Sequence, residues 1–140
     1  MTSIVGNSVF LASGVATING TNNIRFQTVH NNVGNDYDPN TGVYTLRLIA
    51  GTYWFSVTLG NSARFNDYIN CYIYVNGNAK IFLVSILYND NNNSRYIVSG
   101  SGGFHLRKGN RVWVGGCTDP ENVANYYSTH FSGVLIRPEM

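Results

Sequence analysis

The chain has 140 residues, 44% of them hydrophobic and 14% aromatic, yet only 11% are charged and the net charge is +2. That length suits one domain burying roughly 70% of its unfolded surface. The thin, scattered charge argues against a nucleic-acid partner, which needs clustered Lys and Arg, and no apolar run approaches the ~20 residues that span a bilayer. Twenty asparagines stand where charge is missing, so the expected surface is one of amides and hydroxyls that both donate and accept.

The opening stretch MTSIVGNSVFLASG has no charged leader and is broken by Gly6, Asn7 and Ser8. It does not read as a signal peptide. Either the usual secretory route is not used, or this is a mature chain with Met1 added. Next comes NNVGNDYDPNTGVY, residues 31–44, almost all turn formers. Asp38-Pro39-Asn40-Thr41 predicts a type I turn, with Asp bonding its own backbone and Pro pre-setting φ at the second position. Gly42 supplies a positive φ that hands the chain to the next strand.

From there period-two alternation replaces any helical pattern. Tyr44, Leu46 and Leu48 share one face, Ala50-Gly51 punctuates, and Tyr53, Phe55, Val57 and Leu59 share a face of the next strand. Ile69, Cys71, Ile73 and Val75 lie opposite Tyr72 and Tyr74, and Asn76-Gly77 predicts a hairpin. AKIFLVSILY reads as a buried strand. SRYIVSGSGGFHLRKGNRVWVGG alternates twice around Lys108-Gly109-Asn110, and HFSGVLIRPEM closes with one more strand. About ten short strands with no linker or repeat predict a single all-β domain, an antiparallel β-sandwich or jelly roll without significant helix.

Two features exceed that frame. Several strands carry large groups on both faces, Trp54 against Phe55 and Tyr72 against Ile73. Scattered surface aromatics would account for this, and so would a second face buried against a symmetry mate. Cys71 and Cys117 permit one bridge without requiring it. They read first as two buried or half-buried free thiols, with a disulfide in an oxidising compartment as the alternative.

Catalytic signals are sparse. Gly100 to His105 begins like a dinucleotide loop, but its sixth position is histidine and neither a parallel strand nor a helix carries it. Its glycines read as a strand that other backbone approaches closely. His30, His105 and His130 lack metal-ligand spacing, and neither a nucleophile elbow nor a phosphate loop occurs, so no enzyme is expected. Two polar loops remain as candidate ligand sites. LYNDNNNSRY offers Asp90, Asn91, Asn92 and Arg95, whose oxygens suit a hard cation and whose amides suit sugar hydroxyls, or it is a solvated hairpin tip. CTDPENVANYY offers Asp119, Glu121 and Asn122, followed by Tyr126 and Tyr127, whose rings stack on the apolar face of a sugar, or it is an ordinary loop. Asn19-Gly20-Thr21 and Asn92-Asn93-Ser94 match the short glycosylation pattern, which matters only in a secreted chain.

An ordered series of motifs resembles the globular head of complement C1q and its tumour-necrosis-factor-like relatives. It comprises Ile24-Arg25-Phe26, Asn32, the Tyr37-Asp38-Pro39 corner with Thr41-Gly42, and Gly51-x-Tyr53-x-Phe55. YIYVNGN, the Ser-Gly-Ser strand, the Leu-x-x-Gly turn, Val-Trp-Val and the final Phe-Ser-Gly follow in order, so the likeness runs from about Ser8 to Ile136 of a single domain spanning 1–140. The wording NNVGNDYDPNTGVYT, without a collagen repeat, is most similar to stand-alone members from bivalve molluscs.

The resemblance implies a ten-stranded jelly roll in a compact homotrimer, extracellular location, and lectin-like pattern recognition of microbial or other glycans through apical loops in innate immunity. A structural trimer without a small ligand, or a protein ligand for a cell-surface receptor, are the alternatives. The family's frequent cysteine near Thr45-Leu46 is absent here. Calcium-binding relatives carry acids before the Ser-Gly strand, where this chain offers Asp90 and then Tyr96. No cofactor is therefore implied, and calcium through Asp90 is the one to test.

Overall fold

The alternation read along the sequence becomes two stacked antiparallel sheets. A computed structural model describes residues 7–14, 23–61, 68–86, 96–117 and 129–139. Among these, ten strands run in chain order: β1 (Ser8–Ser13), β2 (Thr28–Asn32), β3 (Tyr37–Asp38), β4 (Val43–Thr45), β5 (Gly51–Asn61), β6 (Tyr68–Val75), β7 (Asn78–Ile86), β8 (Tyr96–Leu106), β9 (Arg111–Gly115) and β10 (His130–Pro138). One sheet has the order β2-β1-β10-β5-β8 and the other β3-β4-β9-β6-β7. A 3-10 turn at Val33–Asn35 is the helical content among the described residues. This is the ten-stranded jelly roll, with β5 and β8 longer than expected at 11 residues each.

β5 shows how sequence period becomes core. Tyr53, Phe55, Val57 and Leu59 are fully buried while Trp54 between them is 44% exposed. Cys71, Ile73 and Val75 of β6 and Val112 and Val114 of β9 close the same interior from the facing sheet. Phe10 sits at its centre, stacked on Tyr37 at 5.1 Å and Tyr44 at 4.8 Å, with Phe131 edge-on at 4.8 Å. Such ring pairs add about 0.5–1.5 kcal/mol each beyond the area they bury. The predicted Tyr44-Leu46-Leu48 face stops early, because β4 ends at Thr45. The Arg47 amide turns to Asp36 Oδ2 at 3.0 Å instead of a ladder partner, so Leu46 is buried and Leu48 only half-buried.

The predicted corner forms as a hairpin. Tyr37 pairs with Tyr44 and Asp38 with Val43. Asp38 Oδ1 accepts from the Asn40 amide at 2.9 Å, and Asp38 O accepts from the Thr41 and Gly42 amides at 3.2 and 2.8 Å. Gly42 has φ +78°, and a side chain there would also run into the Ile24 carbonyl oxygen. Tyr37 anchors the corner inward, its hydroxyl donating to Phe26 O and accepting from Phe26 N, both at 2.9 Å. Gly51 is likewise pressed against backbone, at the Arg137 carbonyl. Asn76 and Gly77, at φ 52° and 87°, make the predicted hairpin, with both residues in the positive-φ region that a type I′ turn uses.

Three expectations are corrected. The glycines of β8 are not crossed by backbone: a Cβ on Gly100 would stand 2.5 Å from Leu83 Cδ2, and one on Gly102 would stand 2.6 Å from Ile81 Cδ1. The glycines make room for two side chains from the facing sheet. β7 is not a buried strand either, since it lies at a sheet edge, with Leu83 inside and Phe82 52% exposed. Cys71 and Cys117 are not free thiols: they form a disulfide with Cα atoms 4.2 Å apart. Cys71 faces the core, and the segment leaving β9 brings Cys117 over it, so burial and pairing go together.

Candidate functional site at the long-loop pole

The two ends of the sandwich differ. At one end the connections are tight: Asn76-Gly77 between β6 and β7, and 107–110 between β8 and β9, held by Arg107 N to Asn110 Oδ1 at 2.8 Å and Asn110 N to Arg107 O at 3.0 Å. At the other end Asn61 pairs with Tyr96, Tyr68 with Ile86, and Ser13 with His130. The connections β5–β6, β7–β8, β9–β10 and the one following β1 all depart from those strand ends.

Every residue predicted to touch ligand belongs to two of these connections. Asp90, Asn91, Asn92 and Arg95 fall between β7 and β8, and Asp119, Glu121, Asn122, Tyr126 and Tyr127 fall between β9 and β10. All nine lie outside the described residues. What is defined is their roots, which the register brings to one pole. The Cys71–Cys117 bridge fixes the root of the second connection to β6.

Several titratable groups elsewhere have structural partners. His30 Nε2 shares a 2.7 Å hydrogen bond with Ser13 Oγ, and His105 Nε2 lies 3.3 Å from Glu139 Oε1. Buried Asp36 receives the Arg47 amide at Oδ2 and the Arg47 Nε at 3.4 Å from Oδ1 as an ion pair. Burial pushes the phenols of Tyr37, Tyr44 and Tyr53 above the ordinary range, so they stay protonated as parts of the core; Tyr37 and Tyr53 donate to the carbonyls of Phe26 and Ile49. Among the described residues no cluster of His, Cys, Asp or Glu could hold a metal ion. An open cleft of about 460 Å³ beside the corner is lined by Val29, Asn32, Pro39 and Arg47, and one of about 280 Å³ by Thr52, His105, Arg137 and Glu139.

The two outer faces carry the aromatic surplus seen in the sequence. On the β5-bearing sheet, Trp54 lies over Gly103, with Ile97 63% and Ile136 49% exposed beside rows of serine and threonine. On the opposite sheet four rings cross three strands. Trp113 of β9 stacks on Tyr74 of β6 (5.6 Å, 12°), Tyr74 meets Tyr72 at 6.0 Å and 62°, and Tyr72 stacks on Phe82 of β7 (5.0 Å, 25°). Sequence reading found Tyr72 and Tyr74 on the outward parity of β6 but missed the row. Register across strands, Trp113 to Tyr74 and Tyr72 to Phe82, is what assembles it.

Comparison with known proteins agrees with this geometry. The family model described as the C1q domain matches residues 8–136. Among solved structures, the globular domain of zebrafish complement 1qA protein superposes with a TM-score of 0.72 at 17% identity, covering 94% of this chain and 98% of that one. Murine APRIL crystallised at pH 8.5 superposes with a TM-score of 0.64 at 11% identity, covering 91% and 98%. Its form at pH 5.0 gives 0.63 at 12% identity, covering 90% and 95%. No match is found among the curated proteins.

Proposed function

Because the chain belongs to the C1q domain family, we propose that it is a binding module rather than an enzyme, recognising glycans through its long-loop pole and working as a secreted homotrimer of the innate-immune type. The observation that carries this reading is that the strand ends from which the polar connections depart lie together at one end of the sandwich. A scaffold that fixes the roots of variable loops is the usual architecture of a recognition surface. Those connections hold Asp90 to Asn93 and Asp119 to Tyr127, rich in amides, carboxylates and tyrosines that pair with hydroxyls and stack on sugar rings.

Further observations support parts of the reading. The disulfide suits an oxidising compartment, and among the described residues no helix is long and apolar enough to cross a membrane. The exposed Trp54, Ile97 and Ile136 on one sheet favour self-association through that face. Three loop poles on one side of a trimer would raise weak sugar affinities by avidity. The motif wording of residues 31–45 supports kinship with stand-alone invertebrate members, notably those of bivalves.

A glycan array probed with and without EDTA tests the function. Binding to defined saccharides, weakened by Asp119→Ala or Tyr126→Ala, is the expected result. Loss with EDTA, mimicked by Asp90→Asn, would assign calcium to the first loop. A blank array at high protein concentration would overturn the glycan reading and leave a structural trimer.

A further inference from the structure

The row of four rings lies on the outer face of the second sheet, beside the root of the β9–β10 connection at Gly116, and the glycan reading does not use it. Trp113, Tyr74 and Tyr72 are half-buried and Phe82 is 52% exposed, so the row forms two offset stacks meeting at a steep angle rather than isolated surface rings. The Tyr74 ring is held from below by Gly116, where an added Cβ would strike its hydroxyl. Neither tyrosine hydroxyl of the row donates to a described residue; that of Tyr74 lies against Gly116.

Charge at the rim is one-sided. Lys80 is the extra residue of the bulge where β7 pairs with β6, Ala79 matching Tyr74 and Ile81 matching Ile73. It is exposed and has no ion pair among the described residues. Arg111, exposed and two residues before Trp113, shares its outward parity; its backbone amide donates to Asn76 Oδ1, but its guanidinium has no described carboxylate partner. Among the described residues the acid on this face is Asp38, two strands from Trp113 in the order β3-β4-β9, with Oδ1 already accepting from Asn40.

We propose that this face is a second saccharide-binding surface, selective for acidic sugar chains, in which the ring row takes the apolar faces of the sugars while Lys80 and Arg111 take their carboxylates or sulfates. The proposal rests on the glycan reading above and names both a separate site and a ligand class for it. The chemistry is matched on each count. A sugar ring is amphipathic, so it gains from stacking on aromatic faces while its hydroxyls reach tyrosine oxygens. A row of rings at successive separations of 5.0 to 6.0 Å serves a chain of sugars better than a single one. Two cations on that face without an ion pair among the described residues favour an anionic chain over a neutral one by complementarity. Single-stranded nucleic acid would use the same rings, but it needs a continuous basic groove that two cations do not make.

The test is calorimetric titration of the full chain with a hexameric oligogalacturonate and with the same oligomer fully methyl-esterified, which keeps the rings and removes the charge. The acid form should bind at least about tenfold more tightly. Lys80→Glu with Arg111→Glu should abolish that preference, and Phe82→Ser with Tyr72→Ser should weaken both oligomers by roughly tenfold, with unchanged circular dichroism. If arrayed glycans bind and depend on Tyr126 while these four substitutions change nothing, the second surface is overturned and the loop site stands. If neither oligomer nor any arrayed glycan binds, both fall. Tighter binding of oligothymidylate than of oligogalacturonate, or a change in particle mass on Phe82→Ser, would also overturn the proposal, since the face would then serve nucleic acid or a second copy.

Discussion

At the scale of single residues, the corner is fixed twice over. Gly42 needs a positive φ and also leaves no room for a Cβ against Ile24, whereas Gly109, at φ +92°, faces open space. Gly109→Ala should therefore cost about 1 kcal/mol, the strain of a left-handed backbone alone. Gly42→Ala should cost at least about 2 kcal/mol more in urea unfolding, because the backbone at Ile24 must shift as well. Equal midpoints for the two variants would show that the contact is relieved freely. Tyr37 gives a second test. Its hydroxyl is the shared partner of the Phe26 N–H and C=O, so Tyr37→Phe orphans both groups in the core and should cost about 2–3 kcal/mol. The type I turn and the glycine were legible in the sequence; Ile24 and Phe26 as their partners were not, because those contacts join segments that no local pattern links.

The same tyrosines set a pH limit. Tyr37, Tyr44 and Tyr53 hold their protons more tightly folded than unfolded, chiefly because burial disfavours the phenolate. Their contribution is complete below the unfolded phenol pKa of about 10, and it is lost as pH rises from there through the elevated folded values. Stability measured by urea midpoints should thus fall progressively above about pH 10. Tyr37→Phe, though less stable at neutrality, should fall less steeply. A midpoint flat to pH 11.5 would contradict the burial of these phenols.

At the scale of elements, the disulfide decides how the second candidate loop is held. It joins residues 46 apart, so loop-closure entropy predicts a contribution of about 2–4 kcal/mol. Reduction with dithiothreitol should lower the unfolding free energy by that amount. Because Cys117 roots the 118–128 connection, reduction should weaken any ligand that depends on Tyr126 more than one that depends on Phe82. The pairing was open in the sequence because two cysteines on different strands say nothing about register. Only the antiparallel β6–β9 alignment brings their segments together. Composition likewise misled at β7: its unbroken apolar run suggests burial on both faces, whereas its edge position leaves Phe82 outward and the bulge exposes Lys80.

At the scale of the molecule, alternate residues of β5 serve two environments, and the second one makes the sharpest demand. The inner residues fill a core that the sequence already outlined. The outer ones place Trp54 over Gly103, Val134 beside it as its β10 partner, and serines 56, 101 and 132 in line across three strands. A flat face of small polar residues around one exposed indole suits close approach of another protein surface, with the indole as its anchor. Three copies meeting through this face would have a particle mass about three times 15.5 kDa by light scattering. Trp54→Glu puts a charge where a copy would desolvate it and should shift the mass to a monomer. Its core neighbours Tyr53 and Phe55 point the other way, so circular dichroism and thermal unfolding of the protomer should survive. The paired substitution Phe82→Ser, on the far sheet, should leave the mass unchanged. Dissociation by both variants together with loss of the circular dichroism signal would mean general loss of the fold. A wild-type chain that scatters as one copy at micromolar concentration would mean that the outer indole faces water, and the avidity argued for the loop pole would go with it.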